Sequence, residues 1–339
     1  MQKKGESQRV LNRLPPAGRA FDVLGVGENS WDILATVPHW PSADEKLELQ
    51  DLVSLPGGQA ASALVGCARL GCRAQYVGVF GDDEHGRAVE RALRGEGVET
   101  STCLTARAPN RSAFIVVDPA AGTRAVLWRR DAALNWPDTS AFADYIAQTR
   151  SVLVDTTDIN AAISAAQAAR FLGVPVVVDI DAAEAGIDGV LKHVDVLIAA
   201  EAFPQAHTGA SSLGAAMRQL AAEYDSALVI VTLGASGAVC WDGASEGRSP
   251  GFVVPVVDPT GAGDAFRAGF MAAWLQGSVN GRGTLADILD FANATAALNC
   301  RAVGAQAGLP ARSEVVGLLT DPAVRRSNTT GSATQVGPS

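Results

Sequence analysis

The feature that most constrains the fold is a regular alternation of short apolar runs with helical segments in the second half of the chain. Apolar runs at 152–154, 175–179 and 195–198 are each followed by a segment of helical pattern, and a further apolar run lies at 228–232. Short runs rich in Val and Ile are typical of strands buried on both faces of a sheet. Because strands that alternate with helices form βαβ units, the sequence predicts an α/β fold with a mainly parallel sheet.

Two β-rich segments, at about 35–56 and 108–130, interrupt this alternation. Both are too short for an independent domain, so we expect them to pair into a small sheet that covers the strand ends as a lid. The sequence predicts one globular unit over 21–320. Residues 1–20 are expected to form a flexible leader and residues 321–339 a flexible tail.

The second half of this unit ends in a predicted hairpin and two long helices. The hairpin pairs 238–241 with 252–257, and the helices follow at 263–276 and 285–301.

Composition and charge exclude several classes of protein. The chain has 339 residues, of which 47% are hydrophobic and 19% charged, which excludes a disordered chain or a coiled coil. The net charge of −9 and the absence of a basic stripe argue against a nucleic-acid partner. No apolar run is long enough to span a membrane, and no secretory signal is found. Five widely spaced cysteines are typical of reduced thiols in a cytoplasmic protein.

The segment 256–266 carries the strongest chemical signal. Gly261 and Gly263 permit a tight turn and a close approach to a ligand, and a long apolar helix begins there with free N–H groups. Asp264 lies in the first turn of that helix. A carboxylate beside an anion site suits phosphoryl transfer, whereas the purely structural alternative is a glycine turn with an Asp that caps a helix. No GxxxxGK[ST] phosphate loop and no complete dinucleotide-binding fingerprint are present.

Three further segments are candidates for ligand binding, and each is also compatible with an ordinary loop. Gly57, Gly58 and Gln59 open a helix, and the amide side chain can bond a polyhydroxylated ligand. Asp32 follows the first predicted strand, where side chains point into the crevice of an open α/β sheet. The turn 232–237 contains two glycines and can bring N–H groups to a phosphate.

Taken together, these segments resemble the PfkB, or ribokinase-like, family of small-molecule kinases over about residues 21–315. The motif 258–264, Asp-Pro-Thr-Gly-Ala-Gly-Asp, is similar to the second signature of that family, and 57–62 is similar to the first. Segments 78–83, 291–294 and 304–306 have the expected order. The resemblance implies a three-layer α/β/α core, a β-sheet lid, and ATP with Mg²⁺ as cofactors.

The resemblance also implies an activity, the transfer of the γ-phosphoryl group of ATP to a primary hydroxyl of a sugar or sugar derivative. The resemblance implies that Asp264 is the base and that the backbone of Gly261, Ala262 and Gly263 forms the anion hole. It places four residues at the substrate, namely Asp32, Gly57, Gly58 and Gln59, and four along ATP, namely Thr232, Gly234, Gly237 and Asn293. It implies that Glu201 binds Mg²⁺ and that Asp258 and Thr260 help to hold a monovalent cation, K⁺. A homodimer through the lid is a further expectation.

The chain departs from the family pattern at three places. Gln59 replaces a common Asn, Pro259 replaces a common Thr, and in the segment 200–203 only Glu201 remains of an Asn-Glu-x-Glu pattern that organises Mg²⁺. The altered segment 200–203 leaves a non-catalytic sugar-binding or regulatory member of the same fold open as an alternative. A nucleoside kinase is another, because 258–260 together with 266–270, Phe-Arg-Ala-Gly-Phe, resembles some bacterial nucleoside kinases of the family. For a nucleoside, the aromatic candidates are Trp31, Trp40 and Phe114.

The lid segments also carry several cations and an aromatic residue, namely Lys46, Arg111, Trp128, Arg129 and Arg130. An inward arginine would suit an acidic substrate group, whereas solvated surface arginines are the simpler interpretation.

Overall fold

A computed structural model describes residues 18–121, 123–137, 141–276 and 284–321. Most of the predicted leader, 1–17, and of the predicted tail, 322–339, lies outside the described residues. In the described part of the chain, no helix is both long and apolar enough to cross a lipid bilayer.

The strands are numbered in chain order. They are β1 Val23–Val26, β2 Ser30–Thr36, β3 Asp51–Gly57, β4 Ala74–Val77, β5 Val79–Gly81, β6 Leu104–Ala106, β7 Ser112–Asp118, β8 Thr123–Arg129, β9 Val152–Val154, β10 Val176–Ile180, β11 Val196–Ala200, β12 Leu228–Thr232, β13 Ala238–Trp241 and β14 Glu246–Ser249.

The α-helices are numbered in the same way. They are α1 Gln59–Arg69, α2 Glu84–Gly95, α3 Phe142–Ile146, α4 Ile159–Phe171, α5 Ile187–Leu191, α6 Ala202–Thr208, α7 Leu213–Tyr224, α8 Ala262–Gln276, α9 Leu285–Asn299 and α10 Arg312–Thr320.

The main sheet has the order β14-β13-β12-β11-β10-β9-β1-β4. The strands from β12 to β4 pair in parallel, and only β13 and β14 are antiparallel. The α/β fold with a mainly parallel sheet is therefore confirmed. Because the parallel strands share one direction, their carboxyl ends meet along a single edge, where the chain leaves the sheet through loops.

Helices cover both faces of this sheet. One hydrophobic cluster packs α1, α8 and α9 against one face, and a second packs α4 and α7 against the other. The helix α8 is apolar all round and is buried between α1 and α9. This burial fixes the beginning of α8, and with it the loop before it, rigidly at the carboxyl edge of the sheet.

A second sheet forms the lid, with the order β3-β2-β7-β8. Leu34, Ala113 and Ile115 pack its inner face against Val303 of the core. The lid strands agree with the two β-rich segments of the sequence, but β2 begins at Ser30, before the predicted boundary at 35. Asp32 consequently lies within a lid strand rather than in a turn after the first core strand.

The partner predicted for β13 is wrong. The strand β13 pairs with β14, Glu246–Ser249, and not with 252–257, of which only Phe252 makes an isolated bridge. The apolar side chains Val253, Val256 and Val257 in that segment are more than half exposed. The apolar run 252–257 has the composition of a strand but does not pair with β13. The strand that does pair, β14, lies at an exposed edge of the sheet, where the charged Glu246 and Arg248 are tolerated.

Candidate active site

Two cavities lie at the carboxyl edge of the main sheet. The first has a volume of about 290 Å³ and is bordered by Gly263. The second has a volume of about 480 Å³ and lies beneath the lid, bordered by Gln59 and Asp181. Asp264 follows Gly263, which borders the first cavity, and it interacts electrostatically with Asp181, which borders the second.

The first cavity contains the residues expected along ATP. Thr232, Gly234, Gly237 and Asn293 all border it, and none of the described residues that line it carries a charge. The amide nitrogen of Asn293 donates to the carbonyl oxygen and the hydroxyl of Ser249, at 3.1 and 2.8 Å. The side chain is thereby fixed, and the cavity offers an apolar wall with backbone groups from the turn after β12.

The loop before α8 is held by Asp258. The backbone N–H and the hydroxyl of Thr260 donate to Oδ1 of Asp258 at 2.9 and 2.7 Å, and the N–H of Gly304 donates to Oδ2 at 2.8 Å. Gly261 has a φ of 74°, and a Cβ there would collide with the backbone of Ala305, so glycine is required. These contacts set the backbone that precedes Asp264.

The N–H groups of this loop are not equivalent. The N–H of Ala262 donates to the carbonyl oxygen of Pro259 at 3.1 Å. Of the three residues expected to form the anion hole, Gly261 and Gly263 therefore have the more available N–H groups.

Asp264 lies in the first turn of α8 and is 9% exposed. Burial raises the pKa of its carboxyl well above the ordinary value, and the negative charge of Asp179 raises it further, while Arg267 opposes the rise. A carboxyl of raised pKa beside a cavity is suited to accept a proton from a ligand.

The second cavity is polar. Glu28, Gln59, Asp181 and Glu184 line its floor and wall, and Arg111, Trp128, Arg130 and Asn135 also border it. The amide nitrogen of Gln59 donates to Oδ2 of Asp181 in a short hydrogen bond. Amide, carboxylate and guanidinium groups in one cavity can bond the hydroxyls of a polyol.

Two of the lid arginines contribute to this cavity, and both already have partners. Arg111 forms an ion pair with the buried Glu28, and its guanidinium lies 5.3 Å from the ring centre of Trp128. Arg130 donates to the carbonyl oxygen of Leu134 at 3.0 Å. The guanidinium groups are therefore neither free for an acidic substrate nor simply solvated, whereas Arg129 is exposed.

Asp32 and the paired glycines lie together at the junction of lid and core. Asp32 is 8% exposed and accepts a hydrogen bond of 2.7 Å from the hydroxyl of Ser30. A Cβ on Gly57 would overlap the carboxylate of Asp32, and one on Gly58 would overlap the backbone of Glu28. The first glycine motif thus packs directly against the lid strand that carries Asp32.

The residues expected to serve metal ions differ in how well they fit. Glu201 is exposed and follows Ala200, which pairs with Thr232 at the edge of the sheet, so its carboxylate is available to a hard cation. In contrast, the carboxylate of Asp258 and the hydroxyl of Thr260 are used within their own loop. Arg124 of the lid also donates to that hydroxyl at 3.2 Å, so these side chains do not fit a monovalent cation.

The described residues contain no group of three or more His, Cys, Asp or Glu side chains placed to hold a metal ion. A single carboxylate with ordered water is the arrangement that Glu201 offers.

Several residues of the site were missed in the sequence. Three of them, Asp155, Asp179 and Asp181, lie at or just beyond the carboxyl end of a parallel strand. The positional argument that points to Asp32 in the sequence applies equally to these three. Arg267 is the only charged side chain in α8 after Asp264, and it is 2% exposed. A charged residue within an otherwise apolar helical segment is the sequence signal that could have identified it.

The comparisons with known proteins agree with this fold. The family model described as pfkB family carbohydrate kinase matches residues 22–312. The chain is 28% identical to a ribokinase of Haemophilus influenzae, covering 87% of this chain and 97% of the relative. It is 28% identical to a nucleoside kinase of Methanothermobacter thermautotrophicus, covering 88% and 96%. The structure of Arabidopsis thaliana ribokinase complexed with ribose and ATP superposes with a TM-score of 0.75 at 25% identity, covering 89% of this chain and 99% of that one.

The fold and the two-cavity site define an ATP-dependent small-molecule kinase, a phosphotransferase with an alcohol group as acceptor. The chain belongs to the pfkB family of carbohydrate kinases. The family and the ribokinase-like α/β fold expected from the sequence are thereby confirmed.

Proposed function

We propose that the chain phosphorylates a primary hydroxyl of a sugar or sugar derivative, with Asp264 as the general base. The observation that carries this proposal is the position of Asp264, which is buried directly after Gly263 of the apolar cavity and within electrostatic reach of Asp181 and Glu28 of the polar cavity. A general base must lie within hydrogen-bond reach of the proton that it removes.

The substrate oxygen forms a bond to the γ-phosphorus of ATP while its proton passes to the carboxylate of Asp264. The bond between that phosphorus and the bridging oxygen breaks, and ADP leaves with the electron pair. The N–H groups of Gly261 and Gly263, at the positive end of α8, bind the oxygens of the phosphoryl group in transit.

Substrate binding is assigned to the second cavity and to the junction of lid and core beside it. Gln59 and Asp32, with the backbone of Gly57 and Gly58, would bond the hydroxyls of the sugar. Asp181 and Glu28 add acceptors. Because carboxylates outnumber the arginines there, and both arginines have partners, a neutral polyol suits the cavity better than a sugar acid or sugar phosphate.

ATP would lie in the first cavity, along Thr232, Gly234, Gly237 and Asn293. Glu201 would hold Mg²⁺, through water, and that ion would neutralise charge on the phosphates. We assign no role to K⁺, because the side-chain oxygens of Asp258 and Thr260 are already bonded.

The test is ADP release from ATP and Mg²⁺ with a panel containing D-ribose, D-fructose, a sugar acid, a sugar phosphate and adenosine. We expect one neutral sugar to raise ADP release. Asp264→Asn should lower kcat by about 10²–10⁴-fold, the range of a lost general base. Asp144→Asn, an exposed carboxylate in the first turn of α3, is the matched control. Equal rates for wild type and Asp264→Asn would exclude Asp264 as the base.

A nucleoside is the second candidate substrate. Trp128 borders the polar cavity from the lid, so its indole ring can stack on a base. Of the aromatic residues considered earlier, Trp31 is already stacked on His85, with ring centres 5.9 Å apart, and Phe114 lies on the outer lid face, opposite to Ala113 and Ile115. Phosphorylation of adenosine but not of ribose or fructose in the panel would favour this alternative.

A homodimer through the lid and a cytoplasmic location complete the proposal. Leu52, Phe114 and Leu127 are 55%, 41% and 59% exposed, and strand register places them on the same outer lid face. An apolar face of this kind is suited to a second copy of the chain. Light scattering at micromolar concentration, with Leu127→Asp as the disrupting variant, tests it, and a monomeric wild type would exclude it.

A further inference from the structure

Arg267 occupies an unusual position for a buried cation. It lies one turn after Asp264 in α8, and helical side chains point back toward the N-terminus of their helix. Its Nη1 lies so close to Gly263 that a Cβ on that residue would overlap it. A positive charge at the positive end of a helix is unfavourable, so the guanidinium must be compensated by neighbouring groups.

That compensation comes from two carboxylates at the end of β10. Nη2 of Arg267 forms a short ion pair with Asp179, which is 2% exposed, and lies 3.4 Å from Oδ1 of Asp181. Burying an arginine is costly unless it is paired in this way. The pairing therefore ties the beginning of α8 to the end of the central strand β10.

The same contacts continue to the proposed substrate site. The second oxygen of Asp181, Oδ2, accepts the short hydrogen bond from the amide nitrogen of Gln59. Gln59 is also fixed from its backbone, where its N–H donates to Oε2 of Glu28 at 3.2 Å. A continuous set of polar contacts thus runs from Arg267 through Asp181 to Gln59.

We propose that Arg267 is a positioning residue that joins the base Asp264 to the substrate-binding side chain Gln59 through Asp181. The inference rests on the proposed function, in which Asp264 and Gln59 touch the substrate. It adds a coupling between them: the guanidinium fixes the beginning of α8, where the proton is accepted, and the orientation of the amide that holds the sugar.

The electrostatics of the cluster give this coupling a measurable sign. The charged groups that act on Asp264 are Asp179 and Asp181 from the end of β10, Glu28 from the loop after β1, and Arg267 from its own helix. The three carboxylates raise the pKa of Asp264, whereas Arg267 lowers it. Loss of the guanidinium should therefore move the acid limb of the kcat/KM profile to higher pH, and loss of the charge of Asp181 should move it to lower pH.

The experiment compares Arg267→Met, Arg267→Lys and Asp181→Asn with wild type, using whichever of D-ribose, D-fructose and adenosine is phosphorylated. Arg267→Met should lower kcat about 100-fold, the cost of a displaced catalytic group, and move the acid limb to higher pH. Arg267→Lys should keep the acid limb near that of wild type, because lysine keeps the positive charge. It should raise the sugar KM, because lysine lacks the forked guanidinium that reaches Asp181.

Asp181→Asn should raise the sugar KM about tenfold while leaving the KM for ATP unchanged. Arg91→Met, an exposed arginine of α2, is the matched control and should match wild type in all constants. If Arg267→Met does not fold, the other two variants decide the question. Wild-type kcat, sugar KM and acid limb in both Arg267→Lys and Asp181→Asn would overturn the inference. Failure of the proposed function would appear differently, as no ADP release by the wild type itself.

Discussion

The carboxylate of Asp155 accepts the backbone N–H of Glu28 at 2.6 Å, although 127 residues separate the two in sequence. The same oxygen accepts the N–H of Ala60 at 3.2 Å, and the other oxygen accepts the N–H of Thr157 at 2.9 Å. One buried side chain at the end of β9 therefore fixes both the loop after β1 and the beginning of α1. Those two segments carry Glu28 and Gln59, which line the polar cavity.

Asp155→Ala should destabilise the protein, because three N–H groups lose their acceptor, two of them in buried hydrogen bonds and the third in a partly buried one. Each unsatisfied group costs about 1–3 kcal/mol, so we expect the free energy of unfolding to fall by about 3 kcal/mol or more, measured by urea denaturation. Asp155→Asn keeps one acceptor oxygen and should lose less. Asp144→Asn, which is exposed, should stay within about 0.5 kcal/mol of wild type. Equal stability of wild type and Asp155→Ala would contradict this role.

Glu28 should make stability depend on pH near neutrality. Burial raises the pKa of Glu28 to about 7 from an ordinary value of 4.5, with Arg111 opposing the rise. The folded protein then binds a proton that the unfolded chain releases, so the free energy of unfolding falls as pH rises from about 4.5 to 7. For one group of this shift the fall is about 3 kcal/mol.

The variant Glu28→Gln isolates that contribution. Other buried carboxyls with raised pKa, such as Asp32 and Asp155, act in the same direction and remain in the variant. We expect the difference in unfolding free energy between pH 5 and pH 8 to shrink by about 3 kcal/mol relative to wild type. The variant also removes the charged partner of Arg111, which changes the free energy of unfolding by a similar amount at every pH. An unchanged difference would show that Glu28 does not titrate in this range.

Activity should be almost independent of the monovalent cation. The side-chain oxygens of Asp258 and Thr260 are bonded within the loop, and the guanidinium of Arg124 lies 3.2 Å from the Thr260 hydroxyl, where it would repel a cation. At equal ionic strength, kcat in KCl, NaCl and tetramethylammonium chloride should agree within about twofold. A tenfold or larger activation by K⁺ alone would mean that the loop binds the ion through backbone carbonyls.

Filling the apolar cavity should weaken ATP binding selectively. Ala296 lines that cavity from α9, and a phenyl group there would occupy the space assigned to the nucleotide. We expect Ala296→Phe to raise the KM for ATP at least tenfold, about 1.4 kcal/mol, and to leave the sugar KM unchanged. Ala143→Phe, on an exposed position of α3, controls for the added ring. Parallel rises in both KM values would indicate a distorted site instead.

Much of the fold follows from local pattern. The helices α8 and α9 and the strands β9 and β12 lie within two residues of the predicted bounds, because the apolar periodicity of each segment is a local property. The pairing of β13 could not be predicted, since the exposed edge strand β14 carries Glu246 and Arg248 and has no apolar signature. The loop 258–264 and the glycines before α1 were visible because backbone turns at ligand sites demand glycine.

What the sequence by itself determined was the α/β architecture, the family, and the loop that carries Asp264. Only the tertiary structure brought together Arg267, Asp181 and Gln59, and it alone paired Asp155 with Glu28. These contacts join groups 86 to 127 residues apart in sequence. Periodicity reports which face of an element is buried, whereas the partner of a buried charge depends on which strand ends meet at one edge of the sheet. That meeting is fixed by the packing of the whole core.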